Sequence, residues 1–252
     1  MDLSLKNKYG DIIAECSIDQ YDSLPNEISC DSKTLKELIQ LKPKERGQIK
    51  IFGKTIDVPR YQLNIGEKGY SFSGTTSKSE YKEPSQFHPY IHKIREWVRK
   101  TEHTQEYQQI LMNWYMNGSE YIGPHSDDEK QLIKGSKIYS FSLGATREFI
   151  ITPRKEAYAA VGLVLRKTNS VGMKRKRGQE QIWIDQDTKE VVNPETRGIQ
   201  AKIILSLQHN TYITMNGKMQ QYYYHQVPKI KQTLNDKPRI NITLRRELTI
   251  TS

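Results

Sequence analysis

Two stretches of the chain space their apolar residues as a helix does. In residues 31–42, Leu35, Leu38 and Ile39 share a face, Asp31 or Ser32 can cap the start, and Pro43 stops the run. A second helix opens near Pro89, a favoured first-turn residue, and carries the stripe Ile91, Ile94, Trp97 and Val98 between charges. Residues 48–76 hold β-rich pieces broken by Gly53, Gly66, Gly69 and Gly74. From residue 107 the period shortens. Residues 107–116, 137–143, 147–152, 202–207, 211–215, 219–225 and 239–248 are short, rich in β-branched and aromatic residues, and bounded by turn formers. Many short strands after two helices predict a mainly β fold, a sandwich or barrel with helices packed outside. The segment from about 153 to 200 reads as an insertion with a strand of its own at 181–185.

The last strand carries the most chemistry. A period of two puts Arg239, Asn241, Thr243 and Arg245 on one face and Ile240, Ile242 and Leu244 on the other. One reading is a half-buried strand with its polar face in water. The other covers both faces, and the two guanidiniums then need anions, because an unpaired buried charge is expensive. At about 3.3 Å per residue the two arginines lie about 13 Å apart at Cα, a span suited to gripping the two ends of a small dicarboxylate. The strand alone leaves both readings open.

Composition narrows the class. The chain has 252 residues, 35% hydrophobic and 27% charged, and the two signs of charge nearly balance, which argues against wholesale disorder. No run approaches the ~18 apolar residues of a membrane span, and residues 1–10 lack the apolar stretch of a secretory signal. Cys16 and Cys30 are too few for a disulfide framework or a Cys-rich zinc site. A soluble, intracellular protein without membrane contact is expected. The net charge of +10 is uneven: residues 1–152 carry 21 basic and 21 acidic side chains, and the remainder carries 18 and 8. A basic C-terminal portion favours a polyanionic partner by counterion release, although a basic solvated surface would look the same. The densest cluster, Lys174 to Arg177, lies in a polar loop-like stretch and could also serve nuclear import.

His125 and Asp127, two apart in Tyr121-Ile-Gly-Pro-His125-Ser-Asp127-Asp128-Glu129, point the same way if the segment is extended. His225 lies in a strand-like stretch ending Val227-Pro228. Two histidines and one carboxylate with open positions form the facial triad of non-haem Fe(II) oxygenases. The H-x-D spacing alone is weak evidence, since a histidine near a strand end is more often structural. The paired arginines strengthen it, because such an iron site needs an electron-donating co-substrate and 2-oxoglutarate is a small dicarboxylate.

At this point the sequence resembles the AlkB family of Fe(II)/2-oxoglutarate-dependent dioxygenases. The matching pieces run in order: Asn113-Trp-Tyr115-Met-Asn-Gly118, His125-Ser-Asp127-Asp128-Glu129, Ser140-Phe-Ser142-Leu-Gly144, Arg147-Glu-Phe149, His225 with Val227-Pro228, and Arg239-x-Asn241-x-Thr243-x-Arg245. They cover about residues 50–248, with the insertion unmatched. The resemblance implies a double-stranded β-helix, a jelly roll with outer helices. It implies that His125, Asp127 and His225 hold Fe(II). It also implies that Arg245 and Asn241 steady the C1 carboxylate of 2-oxoglutarate, and that Arg239, Asn113 and Tyr115 hold the distal one.

Upstream, Ile51-Phe52-Gly53-Lys54, Val58-Pro59-Arg60 and Tyr70-Ser-Phe72-Ser73-Gly74 look like the nucleotide-recognition segments of the branch that repairs double-stranded DNA. In that branch Phe52 would wedge into the stack left by a flipped base, and Tyr70, Phe72 and Ser73 would border the base pocket. A buried core aromatic is the commoner fate of each. Asp128 and Glu129 could read an exocyclic amine, or be a solvated acidic turn. Arg60, Lys229 and Lys231 are candidate phosphate contacts. The implied organisation is an N-terminal extension with a short helix (1–45), nucleotide-recognition segments and a supporting helix (46–110), and a catalytic core (111–248) bearing the basic insertion. The implied activity is oxidative dealkylation of bases such as 1-methyladenine and 3-methylcytosine in DNA, by a monomer acting on an extruded base. An RNA demethylase, a protein-modifying dioxygenase and a non-catalytic nucleic-acid-binding module are the rival readings.

Overall fold

A computed structural model describes residues 1–51, 53–65, 80–82, 88–166, 182–230 and 237–247. Two β-sheets face each other. The larger has seven strands in the spatial order Cys16–Tyr21, Thr211–Gly217, Ile138–Gly144, Arg239–Arg245, Gln109–Tyr115, Tyr61–Ile65 and Glu80–Lys82. The smaller has four, in the order Ile203–Leu207, Arg147–Pro153, Tyr223–Val227 and Ile122–His125. Sequence neighbours are often not spatial neighbours, and the last strand is inserted between Ile138–Gly144 and Gln109–Tyr115. This is the jelly roll that the resemblance implies, and it agrees with the sandwich and outer helices expected of the strand pattern.

The alternation in each central strand feeds two cores. On the outer face of the large sheet, Ile240, Ile242 and Leu244 join Ile110, Met112, Trp114 and Phe141 beneath the two long helices. The helix Pro89–Thr101 buries Ile91, Ile94 and Val98 there, and the Nδ1 of His88 caps it by accepting from the Tyr90 N–H at 3.2 Å. The helix Ser32–Gln40 is capped by Asp31 rather than Ser32: its Oδ1 accepts from the Thr34 N–H at 2.7 Å. The second core lies between the sheets and includes Tyr115, Phe149, Ile151, Leu205, Ile213 and Met215.

The N-terminal residues contribute to that inner core. Leu3, Leu5, Ala14, Cys16 and Ile18 are buried in it, and Cys16–Tyr21 pairs along its whole length with residues 212–217. The strand expected over 219–225 is corrected at its start. Met219–Tyr222 is one helical turn, and the strand begins at Tyr223. Its helical turn buries Met219 and lets the chain change direction between the two sheets. In the insertion, Lys155–Ala160 is a short helix and Leu163–Arg166 pairs with Ile182–Asp185. The stacked rings of Tyr158 and Trp183, 3.6 Å apart, hold that hairpin to the inner core. The Lys174 to Arg177 cluster lies outside the described residues. No helix among them is long and apolar enough to cross a membrane.

Candidate active site

Strand register brings the histidines together. His125 and His225 are direct partners on adjacent antiparallel strands of the small sheet, so their imidazoles leave the same face. The rings lie 4.2 Å apart between centroids. Asp127 follows two residues after His125, and one ligand atom from each of the three lies within 4.8 Å of the others. The Nε2 of His125 is 3.9 Å from Asp127 Oδ1, and the Nε2 of His225 is 3.8 Å from Oδ2. Both histidines thus present the same ring nitrogen to the carboxylate.

The surroundings set tautomer and charge. His125 Nδ1 is 3.0 Å from the carbonyl of Gly123, which can only accept, so Nδ1 carries the proton and Nε2 is left as a lone-pair donor. Phe149 stacks on the His225 ring at 5.3 Å. Burial lowers the pKa of His125, and burial together with His125 pushes that of His225 down to about 3. Both rings are therefore neutral near pH 7, the form a metal needs. Burial pushes Asp127 up, but the charge of Arg245 beside it works the other way, and the carboxylate is held below its ordinary range. The chemistry of the set, two neutral imidazoles and one carboxylate on one side of a space, fits a divalent iron with further positions open.

The opposite wall is the polar face of the last strand. Arg239, Asn241, Thr243 and Arg245 are 1%, 9%, 5% and 4% exposed, so both faces of this strand are covered. Arg239 Nη2 donates to Ser142 Oγ at 2.9 Å, and its guanidinium lies 5.3 Å from the Tyr115 ring centre. Its Nε and Nη1 have no hydrogen-bond acceptor among the described residues. Burial pushes the Arg239 pKa down to about 10, so the group stays charged near pH 7. A buried cation with two unused N–H donors in a cleft fits one carboxylate of a small diacid. Arg245 Nη2 donates to Asp127 Oδ1 at 2.9 Å, and its Nη1 lies 3.7 Å from Glu129 Oε1.

Register also aligns Asn113 with Asn241 and Tyr115 with Arg239. Asn113 Oδ1 accepts from Arg60 Nε at 3.0 Å and from Gln62 Nε2 at 3.1 Å. The Asn241 amide donates to Ser140 Oγ at 2.8 Å and to the Phe141 carbonyl at 3.0 Å, while its oxygen accepts from Thr243 at 3.0 Å. Asn241 thus braces the wall through partners in its own sheet.

Other expectations shift. Arg60 is 7% exposed and bonded to Asn113, so it faces the cavity and is not a surface phosphate contact. Asp128 is exposed, and its Oδ2 accepts from Arg154 at 3.2 Å and from Ser126 at 3.0 Å. Glu129 is 4% exposed, which removes the solvated-turn reading for that residue. Both line a cleft of about 540 Å³ that also reaches Asp127, Arg154, Gln220 and Arg245. Lys229 lies over the Tyr121 ring at 4.6 Å. Phe52, Tyr70, Phe72, Ser73 and Lys231 lie outside the described residues. Sequence reading missed Arg147, whose Nη2 donates to the carbonyls of Glu120, at 2.9 Å, and Pro228. Its guanidinium sits 5.6 Å from the Tyr115 ring centre. Its place in the Arg147-Glu-Phe149 motif was the available signal.

Comparison with known proteins agrees with this geometry. Residues 27–245 match the 2OG-Fe(II) oxygenase superfamily. The chain is 32% identical over 203 residues to the mouse DNA oxidative demethylase ALKBH2, covering 80% of this chain and 67% of that protein. The chain belongs to the AlkB family of 2-oxoglutarate- and Fe(II)-dependent oxygenases. Identity to human ALKBH2 is 30%, over 80% of this chain and 61% of the relative. To human alkB homolog 3, an alpha-ketoglutarate-dependent dioxygenase, it is 27% over 76% and 52%. The chain thus spans about two thirds of the mouse protein and less of the human ones. As in the AlkB family at large, this chain is an enzyme whose cofactors are Fe(II) and 2-oxoglutarate.

Proposed function

We propose that this enzyme removes N-linked alkyl groups from nucleobases in DNA by oxidation, with 1-methyladenine and 3-methylcytosine as fitting substrates. The observation that carries the reading is the convergence of His125, Asp127 and His225 opposite the buried, donor-rich Arg239, in a chain similar to DNA oxidative demethylases. His125, Asp127 and His225 hold the metal. Arg239, with Tyr115 and Asn113, receives the distal carboxylate of 2-oxoglutarate. Arg245, steadied by Asp127 and Glu129 and backed by the Asn241 brace, faces the C1 carboxylate. When bound, iron and 2-oxoglutarate supply the oxidation of an N-methyl carbon by O₂, with succinate and CO₂ leaving from the co-substrate and the hydroxylated methyl lost as formaldehyde.

The protein's own part is positioning and the exclusion of competing oxidation. Phe149 covers one face of His225 and keeps water from it. A base inside a duplex cannot reach this interior, so it is extruded or already single-stranded. Extrusion costs a few kcal/mol and least where alkylation has spoiled pairing, which favours lesions on the Watson–Crick edge. Phe52 fills the vacated stack, Tyr70, Phe72 and Ser73 border the base, and Asp128 and Glu129 accept from its exocyclic amine. The enzyme acts as a monomer, and the Lys174 to Arg177 run directs it to the nucleus.

The test is incubation with Fe(II), 2-oxoglutarate and the same methylated sequence as duplex DNA, single-stranded DNA and single-stranded RNA. Formaldehyde and succinate are expected, with DNA preferred, and His125→Ala abolishes both. Turnover confined to RNA overturns the substrate, and full activity in His125→Ala overturns the metal assignment.

A further inference from the structure

Asp127 arrives on a loop, and its position relative to His225 is set by more than those two residues. Gln220 lies on the helical turn Met219–Tyr222, immediately before the strand that carries His225. Its Oε1 accepts from the backbone N–H of Asp127 at 2.9 Å, across 93 residues of sequence. Arg154 ties the same two segments together. Its Nη1 donates to Ser126 Oγ at 2.8 Å and Asp128 Oδ2 at 3.2 Å on the loop. The same nitrogen donates to the Gln220 carbonyl at 2.9 Å on the turn. The Arg154 backbone N–H donates to the Tyr222 carbonyl at 2.8 Å, and the guanidinium lies 4.9 Å from the Tyr224 ring centre. Residues on both sides of Asp127 and the peptide of Asp127 itself are thus bound to the segment leading into His225.

We propose that Gln220 and Arg154 are positioning residues for the metal centre: they bracket the Asp127 loop against the His225 strand and so fix the separation of the carboxylate and imidazole ligands. The inference rests on the metal reading above. Neither side chain touches the ligand atoms; each acts through the backbone or neighbours of Asp127. Removing the Gln220 acceptor leaves the Asp127 peptide free to rotate its side chain away from His225. Outer partners of metal ligands commonly change metal affinity by ~10–100-fold.

The experiment uses the full chain and two metal probes, Mn(II) affinity by electron paramagnetic resonance and the ligand-field spectrum of bound Co(II). Wild type binds Mn(II) and His125→Ala does not, which checks the metal reading by itself. Gln220→Glu keeps an acceptor for the Asp127 N–H, whereas Gln220→Leu keeps only the volume. The expected result is wild-type-like Mn(II) binding in Gln220→Glu, about tenfold weaker binding and an altered Co(II) spectrum in Gln220→Leu, and a similar loss in Arg154→Ala. Melting of the metal-free proteins separates this from unfolding, with Gln220→Leu melting as wild type does. Equal affinity and spectra in Gln220→Leu and Gln220→Glu overturn the proposal even when wild type binds metal, as does a loss in Gln220→Leu that follows a fall in its metal-free melting temperature.

Discussion

His125 and His225, one hundred residues apart, are register partners on neighbouring antiparallel strands. The pairing fixes more than proximity. A slip of one residue would turn one imidazole to the far face of the small sheet, because successive side chains alternate. The register is held by the neighbouring strand: Ile151 opposes His225 and is fully buried, so a slip would also expose that apolar position. The metal site is therefore coupled to the hydrophobic core through strand pairing.

Metal binding should stabilise the folded chain, since the three ligands converge only in the native state. A ligand at 100 times its Kd contributes about 2.7 kcal/mol. For a domain of this size each kcal/mol moves Tm by about 2–4 °C. Thermal melts with saturating Mn(II) against EDTA should differ by about 5–10 °C, and His225→Ala should abolish the difference. An unchanged Tm on chelation of the loaded protein would show that these residues do not bind metal.

Arg239 should matter for co-substrate far more than for folding. It is 1% exposed, with Nε and Nη1 lacking acceptors among the described residues, so it is a costly cation in the protein by itself. Arg239→Met removes that charge at similar length. We expect an unchanged or higher urea midpoint and a KM for 2-oxoglutarate raised at least tenfold, since a hydrogen bond to a charged group contributes about 1.5–3 kcal/mol. Equilibrium unfolding and succinate-release kinetics measure the two effects separately.

How far these elements were legible in the sequence follows from the range of the interactions. The strand Arg239–Arg245 announced its two faces through its alternation, which depends only on the period of the backbone. What covers its polar face is the small sheet, and no local pattern states that. The helix starts at Asp31 and Pro89 were legible because caps act within a turn. Cys16–Tyr21 was missed because the strand it pairs with in the large sheet lies almost 200 residues later. Arg60 resembled a surface cation by type alone; its burial depends on Asn113, 53 residues away. The contact between Gln220 and the Asp127 peptide had no signal in either segment.

Trp114 offers a test of the outer core. It is fully buried, and its indole N–H donates to the Leu38 carbonyl at 2.9 Å, fastening the helix Ser32–Gln40 to the large sheet. Trp114→Phe keeps an aromatic ring but leaves that carbonyl without its donor. A loss of about 1–3 kcal/mol is expected from chemical denaturation. Metal affinity should be unchanged, because the substitution lies on the face of the sheet away from the ligands.

The cluster around Glu102 should give a pH signature independent of the active site. Burial raises the Glu102 pKa, but hydrogen bonds from Lys137, at 2.7 Å, and from Tyr139 outweigh it, leaving the carboxyl below its ordinary 4.5. A carboxyl depressed in the folded state binds its proton more readily when unfolded, so unfolding takes up protons as pH falls. Its stabilising contribution is therefore complete above about pH 5.5, shrinks as pH falls through 4.5, and is gone below the folded-state value. Glu102→Gln should lower Tm at pH 7, and the gap from wild type should close as the melts are taken from pH 5.5 toward pH 3. A gap that stayed constant over that range would mean that the ionised carboxylate is not what Lys137 and Tyr139 stabilise.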